Sequence, residues 1–153
     1  IGDNQLLFAG GGDDYVDVSL APGGNTINLG SGHDYAFAGT NNRIDGGAGN
    51  DMLFLGSPEG NNQVTGGSGA DMFFLTEDDE LLPTNPNIIG DYDAAEGDLI
   101  GFLASGISED NFGDVWDYRQ DGNNTIIEAF GQDIAQLNNV NAASLSPDNF
   151  VFM

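Results

Sequence analysis

The chain of 153 residues carries 25 Asp and Glu against two basic residues, Arg43 and Arg119, for a net charge of −23, with no Cys and a single His. Two arginines cannot build a basic patch, so nucleic acid and anionic membrane surfaces are excluded as partners and cations are favoured; without thiols there is neither a disulfide scaffold nor a thiolate metal site. With 39% apolar and 10% aromatic residues the chain is too hydrophobic for a solvated acidic tail, and no apolar run approaches the ~18 residues of a transmembrane span.

Such a chain can bury a core but repels itself until something positive neutralises it. It opens mid-pattern at IGDNQLLFAGGGDD with no signal-peptide pattern, which reads as a fragment boundary at Ile1. Four glycine turns follow, each running through an Asp into a short apolar strand: AGGGDDYVD from Ala9, LGSGHDYAF from Leu29, GGAGNDMLF from Gly46 and GGSGADMFF from Gly66. Their carboxylates, Asp14, Asp34, Asp51 and Asp71, are spaced by 20, 17 and 20 residues. Between them GNTIN, NNRID and NNQVT, around Asn25, Asn42 and Asn62, keep the strand but lose the glycine turn, and DNQLL around Asn4 is a ragged first member. Strong and weak units alternating at this short period are a solenoid signature.

The strong units resemble the calcium-binding nonapeptide G-G-x-G-x-D-x-U-x of the RTX (haemolysin-type, serralysin-type) proteins, where U is large and apolar. The resemblance covers about the first half of the chain, Ile1 to Leu75. Gly46–Phe54 and Gly66–Phe74 fill every specified position, whereas Ala9 and Leu29 replace the leading glycine of the first two units. It implies an all-β fold, a right-handed parallel β-roll solenoid over residues 1–76, in which two units make one circuit and all four strong turns share one edge. By the same resemblance Ca²⁺ lies between stacked turns, Asp14 with Asp34, Asp34 with Asp51 and Asp51 with Asp71, about three ions in all. The implied ligands are those carboxylates and backbone carbonyls near Gly10, Gly12, Gly30, Gly32, Gly47, Gly49, Gly67 and Gly69. The chemistry agrees: glycine permits positive φ and inward carbonyls, and Ca²⁺ takes six to eight hard oxygens. The opposite edge offers neutral Asn amides, Arg43, and turns reshaped by Pro22 and Pro58, and is a poorer cation site.

Strand alternation sends Val16, Ile27, Ala36, Ile44, Leu53, Val64 and Phe73 into the roll, together with Val18, Leu29, Ala38, Leu55 and Leu75. The outward residues after the strong turns are apolar: Tyr15, Tyr35, Phe37, Met52, Phe54, Met72 and Phe74. After the weak turns they are polar: Thr26, Asn28, Arg43, Asp45, Gln63 and Thr65. An apolar face of this size calls for a cover, expected from the C-terminal half, or a ligand, in which case a row of aromatics would suit the sugar rings of a polysaccharide or an adhesin target.

Residues 77–153 read as an antiparallel β C-terminal cap. TEDDELLPTNPN is an acidic linker; NIIGDYDAAEGDLIGF reads as two strands about a turn and resembles the segment that commonly follows RTX repeats, where Asp91, Asp93 and Asp98 are either a further cation site or a solvated turn. Asp121-Gly122 marks a hairpin. SEDNF at Ser108 and SPDNF at Ser146 read as single helical turns capped by Ser, and Trp116 as core. The final NAASLSPDNFVFM resembles the C-termini of proteins exported by type I secretion, and reads equally as an ordinary last strand. The chain has no nucleophile elbow, zinc-protease motif or phosphate loop, and His33 sits at a variable position of a glycine turn. The chain is therefore expected not to be an enzyme, with any catalytic domain upstream. The expected role is a calcium-binding module of a secreted, extracellular protein that folds on meeting Ca²⁺ outside the cell, with the type I secretion machinery as a partner; a polysaccharide-binding accessory module is the alternative.

Overall fold

The computed structural model describes residues 2–76, 82–103 and 106–153. The first half is a run of paired strands: β1 (Leu6–Gly11), β2 (Tyr15–Asp17), β3 (Thr26–Ser31), β4 (Tyr35–Phe37), β5 (Arg43–Ala48), β6 (Met52–Phe54), β7 (Gln63–Ser68) and β8 (Met72–Thr76). Each six-residue odd strand ends in the glycines of a strong turn, and each even strand is the apolar stub that follows its Asp. Odd strands pair only with odd and even only with even, all parallel, so the chain crosses from one sheet to the other at every turn. This is the flattened β-roll implied by the repeat.

Register turns the repeat into columns. Leu7, Ile27, Ile44, Val64 and Ile89 stack in one sheet, and Val16, Ala36, Leu53, Phe73, Ile100 and Phe150 in the other. All twelve residues expected to point inward are buried. They join one continuous core that runs on to Trp116 and Phe150, each fully buried Leu, Ile or Phe contributing about 1.5–3 kcal/mol.

Both sheets continue into the second half. β9 (Asn87–Ile89) lies parallel to β7, and β10 (Leu99–Phe102) parallel to β8. β11 (Trp116–Asp121), β12 (Asn124–Ala129) and β13 (Gln132–Leu137) form an antiparallel meander whose β13 is parallel to β9, and β14 (Phe150–Phe152) closes the other sheet parallel to β10. Antiparallel pairing, expected throughout the cap, is thus confined to β11–β13. β9 and β10 copy the parallel register below them because unfilled strand edges at β7 and β8 template it. The hairpin turns at Gly122-Asn123, and single 3-10 turns occupy Glu109–Asn111 and Pro147–Asn149. There the Ser108 and Ser146 amides donate to Asn111 and Asn149 Oδ1 at 3.0 and 2.8 Å. Of the expected acidic linker, residues 77–81 lie outside the described residues.

Candidate metal centre

The strong turns stack on one edge of the roll, where Gly10, Gly30, Gly47 and Gly67 are in register. These four have φ between 100° and 115°, and Gly12, Gly32, Gly49 and Gly69 lie between 102° and 146°, a region closed to residues with a Cβ. Stacking adds a second constraint. A methyl on Gly30, Gly47 or Gly67 would run into the carbonyl oxygen of Gly10, Gly30 or Gly47 one turn below, and one on Gly32, Gly49 or Gly69 into that of Gly12, Gly32 or Gly49. The backbone carbonyls of Gly10, Gly12, Gly30, Gly32, Gly47 and Gly49, six of the eight positions where the family pattern implies oxygen ligands, therefore crowd the intervals between turns.

The Asp side chains form a ladder through the same intervals. Oδ1 of Asp34 accepts from the Asp14 amide at 2.7 Å, Oδ1 of Asp51 from the Asp34 amide at 2.9 Å, and Oδ1 of Asp71 from the Asp51 amide at 2.9 Å. Asp34, Asp51 and Asp71 are at most 1% exposed. In each of the four residues the second oxygen, Oδ2, is buried and has no hydrogen-bond partner. Leaving a buried charged oxygen unpaired is costly; Asp34, Asp51 and Asp71 each have one oxygen committed to the fold and one without a partner. The substitutions at Ala9 and Leu29 leave the ladder continuous.

The opposite edge is built on the same plan with a neutral residue. Asn25, Asn42, Asn62 and Asn87 form a buried ladder in which Oδ1 of each accepts from the amide of the residue below, at 2.8–3.1 Å. The second side-chain atom is here an NH₂ donor: Asn62 donates to Gly39 O and Asn87 Oδ1, Asn87 to Leu55 O, and Asn25 to Asn42 Oδ1. Only the Asn42 amide nitrogen lacks a partner. The Asn edge satisfies itself; the Asp edge does not.

The structure adds a fifth rung, Asp98, whose Oδ1 accepts from the Asp71 amide at 2.9 Å. Its Oδ2 takes the Asp93 amide at 2.8 Å, Asp91 receives the Gly66 and Gly67 amides, and Asp93 Oδ1 that of Ala95. These three carboxylates thus end the stack by satisfying backbone donors that a further glycine turn would otherwise meet. The D-x-U spacing that marks each rung is present at Asp98-Leu99-Ile100, obscured by the loss of the preceding glycines. The variable turn positions make a ladder of their own, in which the His33 amide donates to Asp13 Oδ1 and His33 Nδ1 accepts from the Asn50 amide, both at 2.9 Å. This gives the exposed His33 ring a structural contact with the turn above.

Burial raises the pKa of Asp71 to about 6, with the nearby Asp98, Asp51 and Asp91 adding to the rise and the bond from the Asp51 amide opposing it. Burial likewise raises Asp51 and Asp98. Among the described residues no three His, Cys, Asp or Glu side chains gather at one point, so an ion here must draw most of its oxygens from the backbone. One orphaned carboxylate oxygen per turn and stacked glycine carbonyls fit a hard divalent cation with a high oxygen count, and suit softer metals poorly.

The apolar outer face of the β2–β8 sheet is covered unevenly: Phe74 is buried, while Phe37, Met52, Phe54 and Met72 are half-buried. The C-terminal strands join the sheet edges, leaving Tyr15 and Tyr35 68% and 44% exposed. Phe37 and Phe54 stack with centroids 4.3 Å apart and planes 3° from parallel, and Phe54 and Phe74 at 4.7 Å and 9°. Gly101, next in that register, leaves room for the Phe74 ring. Rings stacked like coins show their edges outward, whereas a sugar stacks on a ring face, so the Phe37–Phe54–Phe74 stack itself offers no such platform; Tyr15, tilted 41° to Phe37, lies outside that stack.

The family model of the RTX calcium-binding nonapeptide repeat (4 copies) matches residues 21–53, 39–57 and 59–79. The solution structure of the AlgE6R3 subunit from the Azotobacter vinelandii mannuronan C5-epimerase is similar to this chain, with a TM-score of 0.52 and 25% identity over 91% of this chain and 78% of that one. The AlgE6R2 subunit of the same enzyme matches at a TM-score of 0.42 and 27% identity, over 97% and 93%. No curated protein matches the chain.

Proposed function

We propose that this chain, in which stretches between residues 21 and 79 match the RTX calcium-binding nonapeptide repeat, is a module that binds Ca²⁺ along its Asp edge and completes its fold by doing so. The observation that carries the proposal is the row of buried, unpartnered Oδ2 atoms on Asp14, Asp34, Asp51 and Asp71, set against an Asn edge whose side chains largely bond one another. The Asp14–Asp34, Asp34–Asp51 and Asp51–Asp71 intervals hold about three ions. Carbonyls of Gly10, Gly12, Gly30, Gly32, Gly47, Gly49, Gly67 and Gly69 complete the oxygen set. The bound ion supplies the positive charge that these buried carboxylates lack. Oδ1 of Asp34, Asp51 and Asp71 fixes the register of the turn below, while the glycines hold the carbonyls in place without side-chain interference.

Without the ion, stacking the turns places four carboxylates on one edge of a chain with a net charge of −23, and self-repulsion opposes closure. With it, sites of the extracellular class, with Kd around 10⁻⁴ to 10⁻³ M, stabilise the roll by RT ln(1 + [L]/Kd), on the order of 1–3 kcal/mol each. That dependence suits a protein kept unfolded in a calcium-poor cytosol, exported through a type I secretion channel, and folded in extracellular calcium. Among the described residues no helix is long and apolar enough to cross a membrane.

The test is circular dichroism with titration calorimetry on the chelated chain. Weak β signal, restored steeply by millimolar Ca²⁺ and far less by Mg²⁺, with about three ions bound, is the expected result. A fully folded chelated state that binds no Ca²⁺ would sink the proposal.

A further inference from the structure

A second concentration of aromatic rings lies away from the metal edge and is built differently. Phe112, Trp116, Tyr118, Phe150 and Phe152 line a hollow of about 260 Å³, with Glu109 at its rim. Phe112 meets Trp116 at 67° with centroids 4.9 Å apart, Trp116 meets Phe150 and Phe152 at 57°, and Phe112 meets Tyr118 at 42°. Tyr118 and Phe150 lie 15° from parallel, but the other rings are tilted about the shared space and turn faces as well as edges into it, unlike the coin stack on the β2–β8 sheet. Trp116 is buried and anchored by its Nε1, which donates to the Ser108 carbonyl at 2.8 Å, so it forms a fixed floor; Phe112, 47% exposed, is the open wall.

The electrostatics select the occupant. Among the described residues Glu109 is the one charged side chain lining the hollow, and both ion pairs among them belong to Arg119, so no arginine pairs with it. An anion is excluded by Glu109 and by the overall charge. An apolar neutral group would gain nothing from the carboxylate, whereas a cation over aromatic faces is attracted by both. At this size the hollow, smaller than a typical ~300–1,000 Å³ drug-sized pocket, suits a compact head group. We propose that this aromatic hollow binds an organic cation of the quaternary or trimethylated ammonium class, independently of the Asp ladder.

Trp116 is the only tryptophan of the chain, so its fluorescence reports the hollow directly. The calcium-loaded full chain is titrated with choline and, in parallel, with its uncharged isostere 3,3-dimethylbutan-1-ol at matched ionic strength. A saturable change with choline, about three- to tenfold weaker with the isostere, is expected. Glu109→Gln, an exposed position, should weaken choline several-fold and leave the isostere unchanged, and Phe112→Ala should weaken both, with circular dichroism confirming that each variant folds. No saturable response to choline, or equal responses to choline and the isostere in the unmodified chain, overturns the proposal.

Discussion

The Asp71 amide donates to Oδ1 of Asp98 at 2.9 Å, and with that bond the ladder of carboxylates ends on a rung whose other oxygen is also filled, by the Asp93 amide. Asp34, Asp51 and Asp71 share its column and its amide bond but keep an Oδ2 with nothing to bind, and Asp14 at the start of the ladder keeps an unpartnered Oδ2 as well. Asp98 shows what a carboxylate rung looks like when the protein itself satisfies it, and so isolates the feature that the cation is proposed to meet.

Replacing Asp51 by Asn converts one rung to the chemistry of the opposite edge. Asn can still accept the Asp34 amide through Oδ1, so the register survives, while the buried orphan oxygen disappears. The chelated state should gain about 1–3 kcal/mol, and the calcium-loaded protein should lose about one ion of capacity. Urea melts in chelator and in Ca²⁺, with calorimetric ion counts, check both; unchanged stoichiometry would remove Asp51 from the proposed site.

Gly47→Ala should be severe in the presence of Ca²⁺. The residue sits at φ +105° and its methyl would meet the Gly30 carbonyl, so backbone strain of about 1–3 kcal/mol adds to displacement of a proposed ligand oxygen. Gly122→Ala is the comparison: φ is +58° with nothing within 4 Å, and the cost should stay near 1–2 kcal/mol. Calcium affinity read alongside thermal melts should fall for the first variant only.

Acid should help the chelated chain. The Asp71 carboxyl, raised from 3.8 to about 6 mainly by burial, holds its proton more tightly folded than unfolded. The stability that this contributes is therefore gained as pH falls through about 6, is complete below 3.8, and is lost again as pH rises. In chelator, β signal should increase from pH 7.5 to 4.5; in Ca²⁺, protons compete for the same carboxylates and apparent affinity should fall over that window. Loss of structure in chelator on the same acidification would contradict the ladder electrostatics.

The Phe37–Phe54–Phe74 stack should behave as a structural spine. Phe54→Ala removes the ring between two parallel neighbours at 4.3 and 4.7 Å, and about 2–3 kcal/mol of stability should go with it. A glycan array probed with the calcium-loaded chain should show no binding that this variant abolishes; such binding would restore the polysaccharide reading.

The period of glycine, Asp and apolar stub, with the family resemblance it carries, was enough to read the roll, its inward columns and the alignment of Asp14, Asp34, Asp51 and Asp71, because the resemblance supplies the winding and the rest follows from short-range geometry: turn conformation, strand alternation and a repeat length. The relations of Asp98 to Asp71, of Asn25 to Asn42, and of Phe112 to Trp116 and Phe150 escape such reading, since they depend on which distant strands become neighbours and at what angle the rings meet. Sequence alone determined that this chain winds as an acidic repeat with a carboxylate at every strong turn. Only the tertiary structure decided which buried polar atoms go unsatisfied and which aromatic rings show their faces, because hydrogen-bond satisfaction and ring orientation are properties of contacts between circuits, and no single circuit contains them.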